Sequence, residues 1–146
     1  MGDTMAPRPV VEVRGLWKSF GDKDALRGVD LKLHDGETLV VLGPSGCGKS
    51  VLLKHVIGLM EPDRGSIIVE GRDLSGLSQA ELNEIRQKFG MVFQGAALFD
   101  SMTVGDNVAL PLREHKGMKG ERLSALVEDK LELVGLKGIS SLKPAE

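Results

Sequence analysis

One run of eight residues carries the clearest chemical pattern in this sequence. The spacing G-x-x-x-x-G-K-S/T is matched at every fixed position by Gly43-Pro44-Ser45-Gly46-Cys47-Gly48-Lys49-Ser50. Glycines in such a run let the backbone curl so that successive N–H groups face one anion, and a helix that follows adds partial positive charge. In this pattern Lys49 reaches the β- and γ-phosphates of a nucleotide, and the Ser50 hydroxyl binds Mg²⁺. The sequence therefore predicts a phosphate-binding loop.

The elements on either side of the loop fit this prediction. Apolar patterning indicates strands at Val10–Val13, Val29–Leu33 and Thr38–Leu42. The last two runs are separated by Asp35-Gly36, which favours a hairpin, and the run at 38–42 is apolar on both faces, as in a buried parallel strand. An amphipathic helix is expected from Lys49 to about Met60. A buried strand before the loop and a helix after it are the context that the loop requires.

Further along, the pattern changes from α/β to helical. Short strands are predicted at Ser66–Val69 and Gly90–Phe93, and Ser78 to Glu81 form a capping box that opens a helix. Beyond Gln94 the sequence predicts two helices, 104–115 with Thr103 as N-cap and 120–134 ended by Gly135.

Composition excludes several function classes. The chain has 146 residues, 41% hydrophobic and 27% charged, which is typical of a single globular domain. With 19 basic and 21 acidic residues, it lacks the basic footprint of a nucleic-acid-binding protein, so no nucleic-acid partner is expected. One cysteine, Cys47, excludes an internal disulfide. No apolar run is long enough for a membrane helix and residues 1–5 do not resemble a signal peptide, so we expect a soluble, intracellular chain.

The order of these features resembles one family. The hairpin, the phosphate loop, the turn at Pro62–Gly65 and the segment Phe89–Gln94 are similar to the nucleotide-binding subunits of ABC (ATP-binding cassette) transporters, from about Val11 to the end of the chain. The resemblance implies an α/β, P-loop NTPase fold: a RecA-like core with an antiparallel β-subdomain. Residues 1–94 would form the first part of this core, and residues 95–146 the start of a helical subdomain.

The resemblance also implies roles for individual residues. Phe20 takes the place of the aromatic residue, usually Tyr, that stacks on adenine, although core packing stays an alternative for it. Gln94 matches the glutamine that contacts Mg²⁺ and the attacking water. The implied catalytic residues are therefore Lys49 and Gln94. The implied metal ligands are Ser50 and Gln94. The implied cofactors are ATP and Mg²⁺. The implied nucleotide-binding residues are Phe20, Gly43, Pro44, Ser45, Gly46, Cys47, Gly48, Lys49, Ser50 and Val51.

Two stretches are more specific. Gly95–Val104 with Asn107–His115 looks like the ATPases of bacterial lipid transport, the Mla and mammalian-cell-entry type systems. Val51, where most transporters have Thr, points the same way. This likeness implies phospholipid or other lipid transport across the bacterial envelope. An ABC transporter of another substrate stays open as an alternative.

Several motifs of the family are not found in these residues: the LSGGQ-type signature, an apolar strand ending in Asp-Glu, and the switch histidine. The signature is superficially similar to Leu74–Gln79, but this stretch lies before Gln94 instead of after it. The Asp-Glu strand is superficially similar to Ala96–Asp100, but this stretch directly follows the Gln94 segment and Ser101 takes the place of Glu. The three histidines are interpreted as surface or packing residues: His34, His55 and His115. We therefore expect an N-terminal part of a longer subunit that binds Mg-ATP without steady hydrolysis.

The resemblance implies that the intact protein pairs with a second copy, hydrolyses ATP and drives a membrane permease from the cytoplasmic face of the inner membrane. Two alternatives are a non-transport ABC ATPase of the DNA-repair or translation kind and a non-catalytic nucleotide-binding module. The aromatic stack does not distinguish ATP from GTP.

Overall fold

The computed structural model describes residues 8–93, 95 and 97–146. The chain forms two compact units, the first ending at Met91 and the second beginning at Val92. None of the helices in these described ranges is long and apolar enough to cross a membrane.

An antiparallel sheet organises the first unit. Its strands are β1 (Val11–Phe20), β2 (Lys23–Leu33), β3 (Arg64–Val69) and β4 (Arg72–Asp73), in the order β2-β1-β3-β4. β1 and β2 form a hairpin across a turn at Gly21-Asp22, and β1 pairs on its other edge with β3. The apolar side chains of the hairpin lie in one cluster with residues of α1 (Lys49–Val56) and α2 (Gln79–Arg86), the two helices of this unit.

Two helices complete the first unit: α1 (Lys49–Val56) and α2 (Gln79–Arg86). Leu52 from α1 and Ile85 from α2 are buried in the same cluster as Leu16, which is 0% exposed. The other buried members of this core are Val11, Val13, Leu26, Ile67 and Val69. The core therefore fixes the helix that follows the phosphate loop relative to the sheet.

The second unit is helical. It contains α3 (Val104–Lys116) and α4 (Glu121–Leu133), which bury Ala109, Leu123, Val127 and Leu131 against each other. Thr103 caps α3 by accepting from the Asp106 amide at 3.0 Å. Both helices and this cap confirm the sequence prediction, with bounds that differ by a residue or so.

Most elements of the first unit also agree with the sequence. The strands at 10–13, 29–33 and 66–69 are parts of β1, β2 and β3, and the capping box at Ser78 is complete. The hairpin, however, turns at Gly21-Asp22 instead of Asp35-Gly36, and α1 ends at Val56 instead of Met60.

The strand predictions at 38–42 and 90–93 are wrong for this structure. Neither segment is a strand, and Val40, Leu42 and Val92 are 68%, 87% and 96% exposed. A strand that is apolar on both faces needs paired neighbours and helices on both sides of its sheet. The described part of the chain supplies no such neighbours to either segment, so apolar patterning alone does not make a strand there.

The capping box of α2 gives a direct stability prediction. The Ser78 hydroxyl accepts from the Glu81 amide at 3.3 Å, and the Glu81 carboxylate accepts from the Ser78 amide at 2.9 Å. Ser78→Ala removes the first of these and should lower the free energy of unfolding by about 1 kcal/mol in urea titrations. Ser124→Ala, on the exposed side of α4, is the control and should leave the midpoint unchanged or slightly higher. Equal losses in both variants would contradict the capping role.

Candidate nucleotide-binding site

The phosphate loop joins the extended segment before it to the first turn of α1. Gly48 is the residue immediately before the helix and has φ 97, a left-handed conformation that favours glycine. It is buried, and a Cβ at this position would lie 2.4 Å from the Ala25 carbonyl oxygen. The loop can therefore reach α1 only with glycine at this position, and this contact fixes it against β2.

The Lys49 ammonium lies in the centre of the loop. Its Nζ donates to the carbonyl oxygens of Gly43 at 2.7 Å and Pro44 at 2.8 Å, and lies 3.6 Å from Cys47 Sγ. A Cβ on Gly43 would approach that sulfur to 2.7 Å, so the loop is closely wound around the lysine. The backbone thus places a positive charge where the sequence motif predicts the phosphates.

The start of α1 is suited to an anion. Among the described residues, no side chain caps its N-terminus, and its first turn contains no acidic residue. The amides of this turn and the helix dipole consequently act on whatever occupies the loop, with no carboxylate competing for them. Ser50 is exposed next to Lys49, and Val51 is half-buried. These residues fit a phosphate group, and the Ser50 hydroxyl is available to Mg²⁺.

Phe20 lies at the end of β1, where the hairpin turns. Its side chain is 49% exposed, and the Lys18 Nζ lies 5.8 Å from the ring centroid. Trp17 instead packs against Gly28 of β2, where an added Cβ would meet the indole nitrogen at 3.1 Å. Phe20 has the more exposed of the two rings, at 49% against 39% for Trp17.

A carboxylate that the sequence analysis missed holds the end of β1. Asp63 accepts from the Lys18 ammonium at 2.8 Å and from the Ser19 amide at 2.7 Å. These hydrogen bonds, first that of Lys18 and then that of Ser19, hold the pKa of Asp63 below its usual value. The sequence signal was present, because Asp63 belongs to the turn at Pro62–Gly65, but the sequence gives that turn a place in the family resemblance and no role for its carboxylate.

The remaining candidates from the sequence are Gln94, the stretch at Leu74–Gln79 and three histidines. Gln94 lies outside the described residues. The stretch at Leu74–Gln79 is a turn followed by the N-cap of α2, as the sequence analysis expected. His55 is fully buried, whereas His34 is paired with Glu37 and His115 is exposed. The structure therefore brings the loop residues 43–51 together and connects them to the hairpin of Phe20 through Ala25.

Comparisons with known proteins identify the class to which this fold and loop belong. The family described as "ABC transporter" matches residues 26–145. The chain is 49% identical over 146 residues to the "probable ribonucleotide transport ATP-binding protein mkl" of Mycobacterium leprae (99% of this chain, 42% of that protein). It is 39% identical over 137 residues to the "intermembrane phospholipid transport system ATP-binding protein MlaF" of Haemophilus influenzae (94% of this chain, 52% of that protein).

The fold is shared with a solved ATP-binding cassette. The dimeric, post-hydrolysis structure of the cassette MJ0796 bound to ADP and Pi superposes with a TM-score of 0.81 at 31% identity, covering 92% of this chain and 62% of that one. The molecule is thus a P-loop NTPase of the cassette type. The chain belongs to the ABC transporter family, in its ATP-binding domain, and spans about half the length or less of the curated relatives named here.

The contact between Gly48 and Ala25 predicts a large effect of one methyl group. Gly48→Ala combines an unfavourable φ with a backbone clash, so it should lower the free energy of unfolding by more than about 2 kcal/mol. Gly46→Ala is the matched control, because its φ is 78 but an added Cβ meets no atom within 4 Å. Urea unfolding of the two variants separates clash from backbone strain. Equal destabilisation would show that the contact with Ala25 is unimportant.

Proposed function

We propose that this chain binds Mg-ATP through the loop at residues 43–51. The observation that supports this most directly is the Lys49 ammonium, held in the centre of a loop that opens onto an uncapped helix N-terminus. The loop amides and Lys49 neutralise and orient the phosphates. Ser50 and Gln94 hold Mg²⁺, which when bound neutralises charge on the phosphate oxygens.

Phe20 is proposed to bind the base. Half of its side chain is exposed, and its position is fixed because Lys18 and Ser19, the residues before it, are held by Asp63. Stacking uses only the face of the ring, so phenylalanine serves where tyrosine is more usual. The proposed nucleotide thus spans from the phosphate loop to the hairpin turn.

For the whole protein we propose the activity of an ABC transporter subunit. Two copies enclose ATP, hydrolyse it with Lys49 and Gln94 among the catalytic residues, and drive a membrane permease to which they are bound at the cytoplasmic face. Support comes from the family match and from the dimeric cassette that shares this fold. Domain limits of 1–94 for the nucleotide-binding core and 95–146 for the start of the helical subdomain belong to the same proposal.

We further propose a phospholipid or related lipid as the transported substrate. The likeness of residues 95–104 and 107–115 to lipid-transport ATPases supports this, as does the similarity to MlaF. A specific alternative comes from the mkl relative, whose name refers to ribonucleotide transport. Both alternatives use the same phosphate loop and differ only in the membrane partner that it would drive.

The first experiment measures Mg-ATP binding by isothermal titration. Lys49→Ala should reduce affinity at least about tenfold, because it removes the charge-assisted hydrogen bonds that a phosphate would accept. Lys54→Ala, an exposed lysine of the same helix, is the control and should bind like the native chain. Loss of binding in both variants, or in neither, would contradict the assignment of the loop.

The substrate proposal predicts a difference between two added compounds. The whole protein with its membrane partner, in detergent micelles without phospholipid and with ATP in every sample, should release phosphate faster when phospholipid is added and no faster when ribonucleotides other than ATP are added. Micelles carrying Lys49→Ala should show neither response and serve as the background. Stimulation by ribonucleotides alone would replace the lipid proposal by the alternative.

A further inference from the structure

Lys18 lies between the end of β1 and the turn before β3 and makes three contacts at once. Its ammonium donates to the Glu61 carbonyl at 3.0 Å and to the Asp63 carboxylate at 2.8 Å. The same Nζ lies over the ring of Phe20, 5.8 Å from the ring centroid. Only 18% of the Lys18 side chain is exposed. An ammonium has three N–H groups, and these oxygens use two of them, so the positive charge is held beside the ring.

The contact with Lys18 leaves one face of the Phe20 ring for a ligand. A cation is attracted to the negative face of an aromatic ring, and 5.8 Å is within the distance at which this attraction acts. Phe20 is nevertheless 49% exposed. Because Lys18 lies on one side of the ring, we expect a planar base to stack on the opposite face.

The turn that carries Asp63 packs against β1 without room for a side chain. Gly65 has φ 90, and an added Cβ would lie 2.3 Å from the Gly15 carbonyl oxygen. The Asp63 amide donates to the Trp17 carbonyl at 3.0 Å, and the Asp63 carboxylate accepts from the Ser19 amide at 2.7 Å. These backbone contacts fix the carboxylate of Asp63 relative to the end of β1, where Phe20 follows Ser19.

We propose that Asp63 and Lys18 are positioning residues that hold the Phe20 ring in the orientation in which its opposite face receives the base of a nucleotide. This inference rests on the proposed nucleotide site and adds two residues that lie outside the proposed contacts of the nucleotide. Asp63 acts through Lys18 and the Ser19 amide, and Lys18 acts through the ring. The phosphates do not depend on this pair, since Lys49 is held by carbonyl oxygens of its own loop.

The pair acts on one part of the ligand only. A phosphate chain binds to the loop by charge and hydrogen bonds, whereas a base gains its affinity from the face of the ring. Removing the Asp63 carboxylate takes a hydrogen-bond acceptor from Ser19 and the counter-charge from Lys18. The backbone before Phe20 and the cation over its ring then both lose a fixed position. Affinity for a nucleotide should fall, and affinity for a phosphate chain without a base should not.

The test compares Mg-ATP with Mg-tripolyphosphate, which has three phosphates and no base, by isothermal titration. Asp63→Ala should lower the affinity for Mg-ATP about two- to tenfold, the range expected for one aromatic stacking contact, and leave the affinity for Mg-tripolyphosphate unchanged. Asp30→Ala is the matched control, because the Asp30 carboxylate accepts from the Gly15 amide at 2.8 Å elsewhere in β1. It should bind both ligands like the native chain.

A double-mutant cycle separates positioning from a general loss of structure. Phe20→Ala should lower the affinity for Mg-ATP at least about fivefold, because it removes the ring on which the base stacks. If Asp63 acts through that ring, adding Asp63→Ala to Phe20→Ala should change the affinity by less than about twofold. A merely structural role of Asp63 would lower the affinities for both ligands equally and would add to the effect of Phe20→Ala.

The other outcomes contradict different statements. Equal losses for both ligands in Asp63→Ala, no loss for either, or additive effects with Phe20→Ala overturn the inference and leave the nucleotide site intact. If Phe20→Ala binds Mg-ATP like the native chain, the role of Phe20 and the inference fail together, but the assignment of the loop stands. Absence of binding of both ligands to the native chain would overturn the proposed function itself.

A second variant keeps the test decisive if Asp63→Ala does not fold. Asp63→Asn keeps an oxygen that can accept from the Ser19 amide but loses the charge that pairs with Lys18. It should lower the affinity for Mg-ATP and not that for Mg-tripolyphosphate, with Asp30→Asn as its control. Unchanged Mg-ATP affinity in a folded Asp63→Asn would overturn the part of the inference that concerns Lys18.

Discussion

The close approach of Gly48 to the Ala25 carbonyl is the constraint on which the site depends. An added Cβ would lie 2.4 Å from that oxygen, so the backbone of the loop and the backbone of β2 are packed without room for a side chain. The position of α1, and of Lys49 as its first residue, depends on this contact. The sheet is the other fixed element. Its strand β1 is paired on both edges, and the β1 side chains Leu16 and Val13 are almost completely buried.

Charge placement complements this rigid backbone. The Lys49 ammonium is stabilised by two carbonyl oxygens of its own loop, and α1 has neither a capping side chain nor an acidic residue in its first turn. Two carboxylates of the unit have partners outside the loop: Asp63 holds the end of β1, and Glu12 pairs with Arg14 and Lys32. A first turn of α1 without acidic residues leaves the positive potential of the helix N-terminus available to an anion.

The exposed apolar segments show where local pattern and tertiary context diverge. Residues 38–42 have the composition of a buried strand, yet Leu42 is 87% exposed, and Val92 in the predicted strand 90–93 is 96% exposed. A strand buried on both faces takes its stability from neighbouring strands and covering helices. The sheet in the described residues consists of β1 to β4 and includes neither of these segments. The chain spans 42% of the length of its mkl relative and 52% of the length of its MlaF relative.

The sequence by itself determined the features that depend on neighbouring residues along the chain. The phosphate loop, the capping box at Ser78, the cap at Thr103 and the helices of the second unit are set by short-range chemistry. The resemblance to the family came from the order of the hairpin, the phosphate loop, the turn at Pro62–Gly65 and the segment Phe89–Gln94. Tertiary structure decided what depends on residues distant in sequence. The hairpin turn at Gly21-Asp22 follows from pairing of two whole strands, and Asp63 acquires its partners Lys18 and Ser19 only when β1 and the turn before β3 meet. These partners lie 45 and 44 residues from Asp63 in the sequence, so no local pattern specifies them, and only hydrogen bonding in the folded unit selects them.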